Sequence, residues 1–166
     1  MRSTSSWWVA KVRQFRTHLR ASVGPAERAG LDDWLTGPQL RLFDGMHVAD
    51  RRHGLDVAAT LRAEGVTDTD VLLAGLLHDA GKGQTGIWPR VAYPLGQFFG
   101  AWVWRVGGVV PGLRTSLARL HEHAETSAVL AAEAGCSPRT VELIRHQDAP
   151  IDPDAGRLLQ LADDAN

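Results

Sequence analysis

With 166 residues, of which 44% are hydrophobic and 22% charged, the chain has one domain's worth of ordinary globular composition, which excludes a disordered polymer. Lys and Arg total 18 against 19 Asp and Glu, a formal net charge of -1, so no global positive field gathers a nucleic-acid polymer. The single cysteine, Cys136, excludes an intramolecular disulfide and suits a reducing cytoplasm.

Apolar residues recur at helical spacing almost throughout and no period-2 alternation persists, so the expected class is all-α. Trp7, Trp8 and Val9 are followed at once by Lys11, Arg13 and Arg16, so neither a signal peptide nor a spanning helix is expected there. A first helix is expected from Trp7 to Ala21, stopped by Gly24-Pro25, and a second from Pro25 to about Leu35. Gly37-Pro38 opens a short helix with Leu40, Leu42 and Phe43. The next runs from Val48 to Glu64 and ends at Gly65; on it His53, Val57 and Leu61 share one face, the stripe that seeks the core. Thr67 and Asp68 offer capping groups for a run from Val71 to Asp79 that reads as apolar all round, a central buried helix with Gly81 as its stop.

The apolar stretch from Val91 to Leu113 is interrupted by Arg105 and by glycines and prolines, short of the ~20 apolar residues a bilayer needs, and reads as a buried helix, with interfacial membrane contact as the lesser alternative. A helical segment from Gly112 to Gly135 carries Leu117, Leu120, His123, Ser127 and Leu130. Ser137-Pro138 starts a helix that runs to about Gln147, and Asp152-Pro153 starts a last one, on which Leu159 and Asp163 lie one turn apart. The six tryptophans read as packing groups, Cys136 as a small residue without a special role, and His18, His47 and His121 as surface side chains.

Three helices thus deliver His or Asp from an apolar setting: His53, the pair His78-Asp79, and Asp163 behind Leu158, Leu159 and Leu161. Asp79 at the end of a buried helix faces both desolvation and the negative end of the helix dipole, so a cation must compensate it. Lys82, three residues on, is one candidate and a metal ion is the other. Imidazole combined with carboxylate suits Mn, Fe, Co, Ni or Zn better than Mg alone.

The order His53, His78-Asp79, Asp163 resembles the ligand signature of the HD superfamily of metal-dependent phosphohydrolases. Leu76-Leu77-His78-Asp79-Ala80-Gly81-Lys82 is similar to its LLHDxGK core, and Leu159-Gln160-Leu161-Ala162-Asp163 to its closing xxAD segment. His123-Ala124-Glu125-Thr126-Ser127-Ala128 resembles the HPxxGA turn of the subgroup that can hold a second metal, and His146 the first His of its HHE element. Gln147 stands where that element has its second His, and no GYP motif is present, which speaks against a cyclic-dinucleotide phosphodiesterase. The resemblance spans Phe43 to Asn166. It implies a compact helical bundle of the HD type over 37–166, with an N-terminal helical extension over 1–36.

The resemblance further implies a divalent metal on His53, His78, Asp79 and Asp163, with His123 and His146 as candidate ligands of a second ion. Asp79 and Lys82 are then the expected catalytic groups, and Arg51 and Lys82 the expected phosphate contacts. The implied reaction is attack of metal-activated water on the phosphorus of a small phosphoester or nucleotide. Two other readings stay open: a regulatory HD domain that binds metal or nucleotide without turnover, and a di-iron oxygenase that needs both His123 and His146. The expected partner is a small phosphorylated molecule and the expected location cytoplasmic, with no transmembrane segment.

Overall fold

The computed structural model describes residues 21–83 and 123–166, and every regular element among them is helical. In chain order these are α1 (Pro25–Ala29), α2 (Gly37–Gly45), α3 (Val48–Ala63), α4 (Thr69–Leu77), a 3-10 turn (Ala80–Lys82), α5 (His123–Glu133), α6 (Pro138–Arg145) and α7 (Ala155–Ala165). The helix expected from Trp7 lies outside the described residues except for Ala21, as do the stretch from Val91 to Leu113, the part of the 112–135 segment before His123, His18, His121 and every tryptophan except Trp34.

Helix α4 is the centre of the bundle. All seven residues from Val71 to Leu77 are buried, as a sequence apolar on every side requires. Asp68 caps it, its carboxylate accepting the Asp70 N–H at 3.0 Å. α3, α6 and α7 pack around it, and α5 packs on α6 and on the 3-10 turn. Phe43, Val57, Leu61, Leu76, Leu77, Ile144 and Leu159 are fully buried in one continuous core that also takes in Leu31 and Leu35. Each such side chain contributes about 1.5–3 kcal/mol through removal from water.

Small residues set how closely the helices meet. A Cβ on Gly54 would press on the Leu76 carbonyl oxygen, and one on Gly75 would lie 2.8 Å from Leu61 Cδ1. Glycine at both positions lets α3 lie directly along α4, which brings the His53 face of α3 to the end of α4.

Several boundaries differ from the sequence expectation. The helix from Pro25 stops at Ala29 instead of reaching Leu35. Past Gly30 the backbone bonds tighten, Leu31 N–H to Arg28 O and Asp32 N–H to Ala29 O, and the resulting turns bury Leu31 and Leu35. α4 ends at Leu77, before Gly81, because the chain swings at Asp79 (φ -98°) into the 3-10 turn. α6 begins as expected, Ser137 Oγ accepting the Thr140 N–H at 3.1 Å, but ends at Arg145. α7 starts at Ala155, later than Asp152-Pro153 suggests, because Asp152 Oδ1 accepts the N–H groups of Asp154 and Ala155 in a turn before the helix. Its buried face carries Leu159 and Ala162, whereas Leu158 and Leu161 are exposed and do not belong to the Asp163 face.

One polar expectation also changes. His47 is no idle surface residue: its Nδ1 accepts the Ala49 N–H at 3.2 Å and caps α3. Asn166 ties the last turn of α7 to α3, its amide donating to Ala162 O at 2.8 Å and to Thr60 Oγ1 at 3.0 Å. Cys136 is half-buried, with its thiol pushed up by burial, an inert environment. No helix among the described residues is long and apolar enough to cross a membrane.

Candidate metal centre

The three helices that the sequence singles out converge. His53 projects from α3, His78 caps the C-terminus of α4 and Asp163 projects from α7; one ligand atom of each lies within 4.8 Å of the other two. His53 Nε2 is 2.7 Å from Asp163 Oδ1, and His78 Nε2 is 3.4 Å from the same oxygen. The two imidazoles meet edge to face with ring centroids 5.2 Å apart.

His78 is almost fully buried and its ring is held from behind: Nδ1 donates to the Gly75 carbonyl at 2.9 Å, the partner that the preceding helical turn offers. That bond places a proton on Nδ1 and turns Nε2 toward His53 and Asp163. Burial disfavours its charge, but the Asp79 and Asp163 carboxylates outweigh this and carry the imidazole to a pKa of about 9. Asp163 is half-exposed; against the effect of burial, His53 and His78 hold its carboxyl well below the usual range.

Asp79 is buried as deeply as His78. Its two oxygens have different fates. Oδ2 accepts from Lys82 Nζ at 2.5 Å, a contact made possible by the 3-10 turn that brings the lysine back over the carboxylate. Oδ1 has no hydrogen-bond partner among the described residues; it lies 3.5 Å from His78 Nε2 and 3.8 Å from His123 Nε2. Burial opposes the charge of Asp79, yet His78 and Lys82, aided by His53 and His123, keep its carboxyl well below the ordinary carboxylate range. Lys82 is raised in turn, because Asp79, with Asp50 and Asp163, outweighs its desolvation.

The turn that carries Asp79 is locked to α5. Gly81 N–H donates to Ser127 Oγ at 2.8 Å, and Ser127 has no exposed surface. This clamp holds His123, at the start of α5, beside Asp79. His123 Nε2 is also 3.0 Å from Gln147 Nε2, just past the end of α6. His146 does not take that place: its Nε2 is 3.3 Å from Glu142 Oε2, one turn back on its own helix. Arg51 is partly buried, and its charge reaches Asp44, whose carboxyl it helps Arg28 to depress.

The sequence reading thus placed His53, His78, Asp79, Asp163, Lys82 and His123 where they meet. It missed Gln147 as a partner of His123 and Asp50 as a buried acid near Lys82. Asp50 was findable, since it precedes His53 by one helical turn on the same stripe. Gln147 carried no signal beyond its adjacency to His146. No protein-family model, curated protein or solved structure matches the chain.

Proposed function

We propose that the chain is a metal-dependent phosphohydrolase of the HD type acting on a small phosphoester or nucleotide. One observation carries this reading: two imidazole nitrogens and a carboxylate oxygen, drawn from three helices far apart in sequence, lie within 4.8 Å of one another. The donor chemistry fits a divalent ion. His78 already has its far nitrogen occupied by a backbone carbonyl, as metal-bound histidines do, and Asp79 Oδ1 is a buried acceptor without a hydrogen-bond partner among the described residues. Such an oxygen costs about 1–3 kcal/mol unless a cation or a donor satisfies it. Two imidazoles with carboxylate favour Mn, Fe, Co, Ni or Zn over Mg.

When bound, a divalent ion supplies an acidified water and an electrophile for a phosphoryl oxygen. The chain's residues supply the rest. His53, His78 and Asp163 fix the position of the reacting group on rigid helices. Asp79 holds Lys82 at Oδ2 and keeps Oδ1 toward the imidazoles. The Lys82 ammonium has three protons, of which Asp79 takes one, so the remainder can face a phosphoryl oxygen.

The test is metal content of the purified protein and phosphate release from a panel of phosphoesters and nucleotides, with His78→Ala and Asp79→Ala alongside. Hydrolysis that falls at least ~100-fold in both variants is expected, given the usual size of losses at catalytic centres. Equal turnover in wild type and both variants overturns the proposal. Bound metal with no turnover across the panel points instead to a regulatory binding domain.

A further inference from the structure

The pair His123–Gln147 sets how many ions the centre holds. We propose that it binds a single divalent ion, and that Gln147 is the positioning residue that keeps a second from assembling beside Asp79. The inference rests on the metal-centre reading above and adds the stoichiometry.

Among the described residues, a second ion next to the His53–His78–Asp163 cluster would draw on two donors that lie beside it, Asp79 Oδ1 and His123 Nε2, 3.8 Å apart. Two donors are fewer than the three or four protein ligands that transition-metal sites use. Among the described residues, the side chain in position to supply a third is Gln147, which is buried and reaches His123 Nε2 at 3.0 Å. Its contact removes a donor instead of adding one. If the amide NH2 faces the ring, it consumes the Nε2 lone pair; if the carbonyl oxygen faces the ring, Nε2 must carry a proton. Either orientation occupies the nitrogen that a second ion would need.

Charge acts in the same direction. Lys82 already places an ammonium 2.5 Å from Asp79 Oδ2, so the carboxylate is half-neutralised and a positive charge stands beside any incoming cation. Gln147 contributes no negative charge to offset it. His146 is turned to Glu142 and does not stand in for the missing ligand.

The experiment uses the metal alone as probe. The full chain is stripped with chelator, titrated calorimetrically with Mn2+ and with Zn2+, and its metal per chain measured after gel filtration, for wild type, His123→Ala and Gln147→His. One ion per chain is expected in wild type and in His123→Ala. Two are expected in Gln147→His, where imidazole of nearly the same size replaces the amide beside His123. Two ions in wild type, falling to one in His123→Ala, overturn the inference while leaving the metal centre standing. A Gln147→His protein that folds and stays at one ion overturns the role given to Gln147. No ion in wild type overturns the metal centre and this inference together. Should Gln147→His fail to fold, the wild-type and His123→Ala stoichiometries still decide between one ion and two.

Discussion

Replacing Gly81 with alanine tests the clamp between the Asp79 turn and α5. An added Cβ would stand 2.5 Å from His123 O, 2.6 Å from Ser127 N and 2.8 Å from Thr126 Cβ, and two of these three are backbone atoms that cannot swing aside. Ordinary contact begins near 3.4 Å, so the turn and α5 must part by somewhat less than an ångström. Overpacking of this kind costs about 1–3 kcal/mol. The Gly81 N–H to Ser127 Oγ bond, now 2.8 Å, stretches as the surfaces separate, which adds about 1 kcal/mol. The stiffer unfolded chain returns about 0.4–1 kcal/mol, leaving a net loss of about 2 kcal/mol. For a chain of this size that lowers Tm by about 4–8 °C. Gly45→Ala is the internal control, because a Cβ there meets nothing within 4 Å among the described residues. It should hold or raise stability by up to about 1 kcal/mol. Thermal and urea unfolding of the metal-free protein reads both. If Gly81→Ala is as stable as wild type, α5 does not lie against the turn as described, and His123 is not held beside Asp79.

Lys82→Met keeps the lysine's aliphatic stem and removes the charge facing Asp79 Oδ2. The metal-free variant should lose about 2–3 kcal/mol, below the usual cost of breaking a fully buried pair because Lys82 keeps some contact with water, and saturating metal should return part of it. Unfolding with and without metal checks this; no loss in either state contradicts a pairing role. The stability of the metal-free wild type should also depend on pH in a defined way. His78 is raised from 6.5 to about 9, so its contribution is full below pH 6.5 and is lost as pH rises through about 9. Asp79 and Asp163 are lowered from 3.8, so their contributions are full above about pH 4 and are lost as pH falls toward their folded values. Stability from these groups is therefore greatest between about pH 4 and 6.5, and urea midpoints should decline from pH 7 to 9. A flat profile over that range contradicts the ionised His78–Asp79–Asp163 arrangement.

Local signals read well where one residue decides one feature. Ser137-Pro138 and Asp68 start their helices as their chemistry demands. His53 lies on the Val57–Leu61 face because helical spacing allows nothing else, and the run from Val71 to Leu77 is buried because it has no polar side to expose. What could not be read depends on distant partners. The swing at Asp79 into a 3-10 turn is set by docking on α5, where Gly81 meets His123 and Ser127, and no local pattern encodes that approach. Gly54 and Gly75 look like ordinary helix weak points until α3 and α4 are laid together. The early end of the helix from Pro25 follows from burial of Leu31 and Leu35, a tertiary demand that overrides propensity. Gln147 matters only because α6 ends where it does, beside His123.

Anomalous diffraction from crystals grown with Zn2+ or Mn2+ locates the ion without reference to any substrate. The expected peak lies about 2.0–2.2 Å from His53 Nε2, His78 Nε2 and an Asp163 oxygen, with Asp79 turned toward it. A peak elsewhere on the chain, or no peak while those three side chains keep their present positions, contradicts the assignment of this cluster as a metal centre.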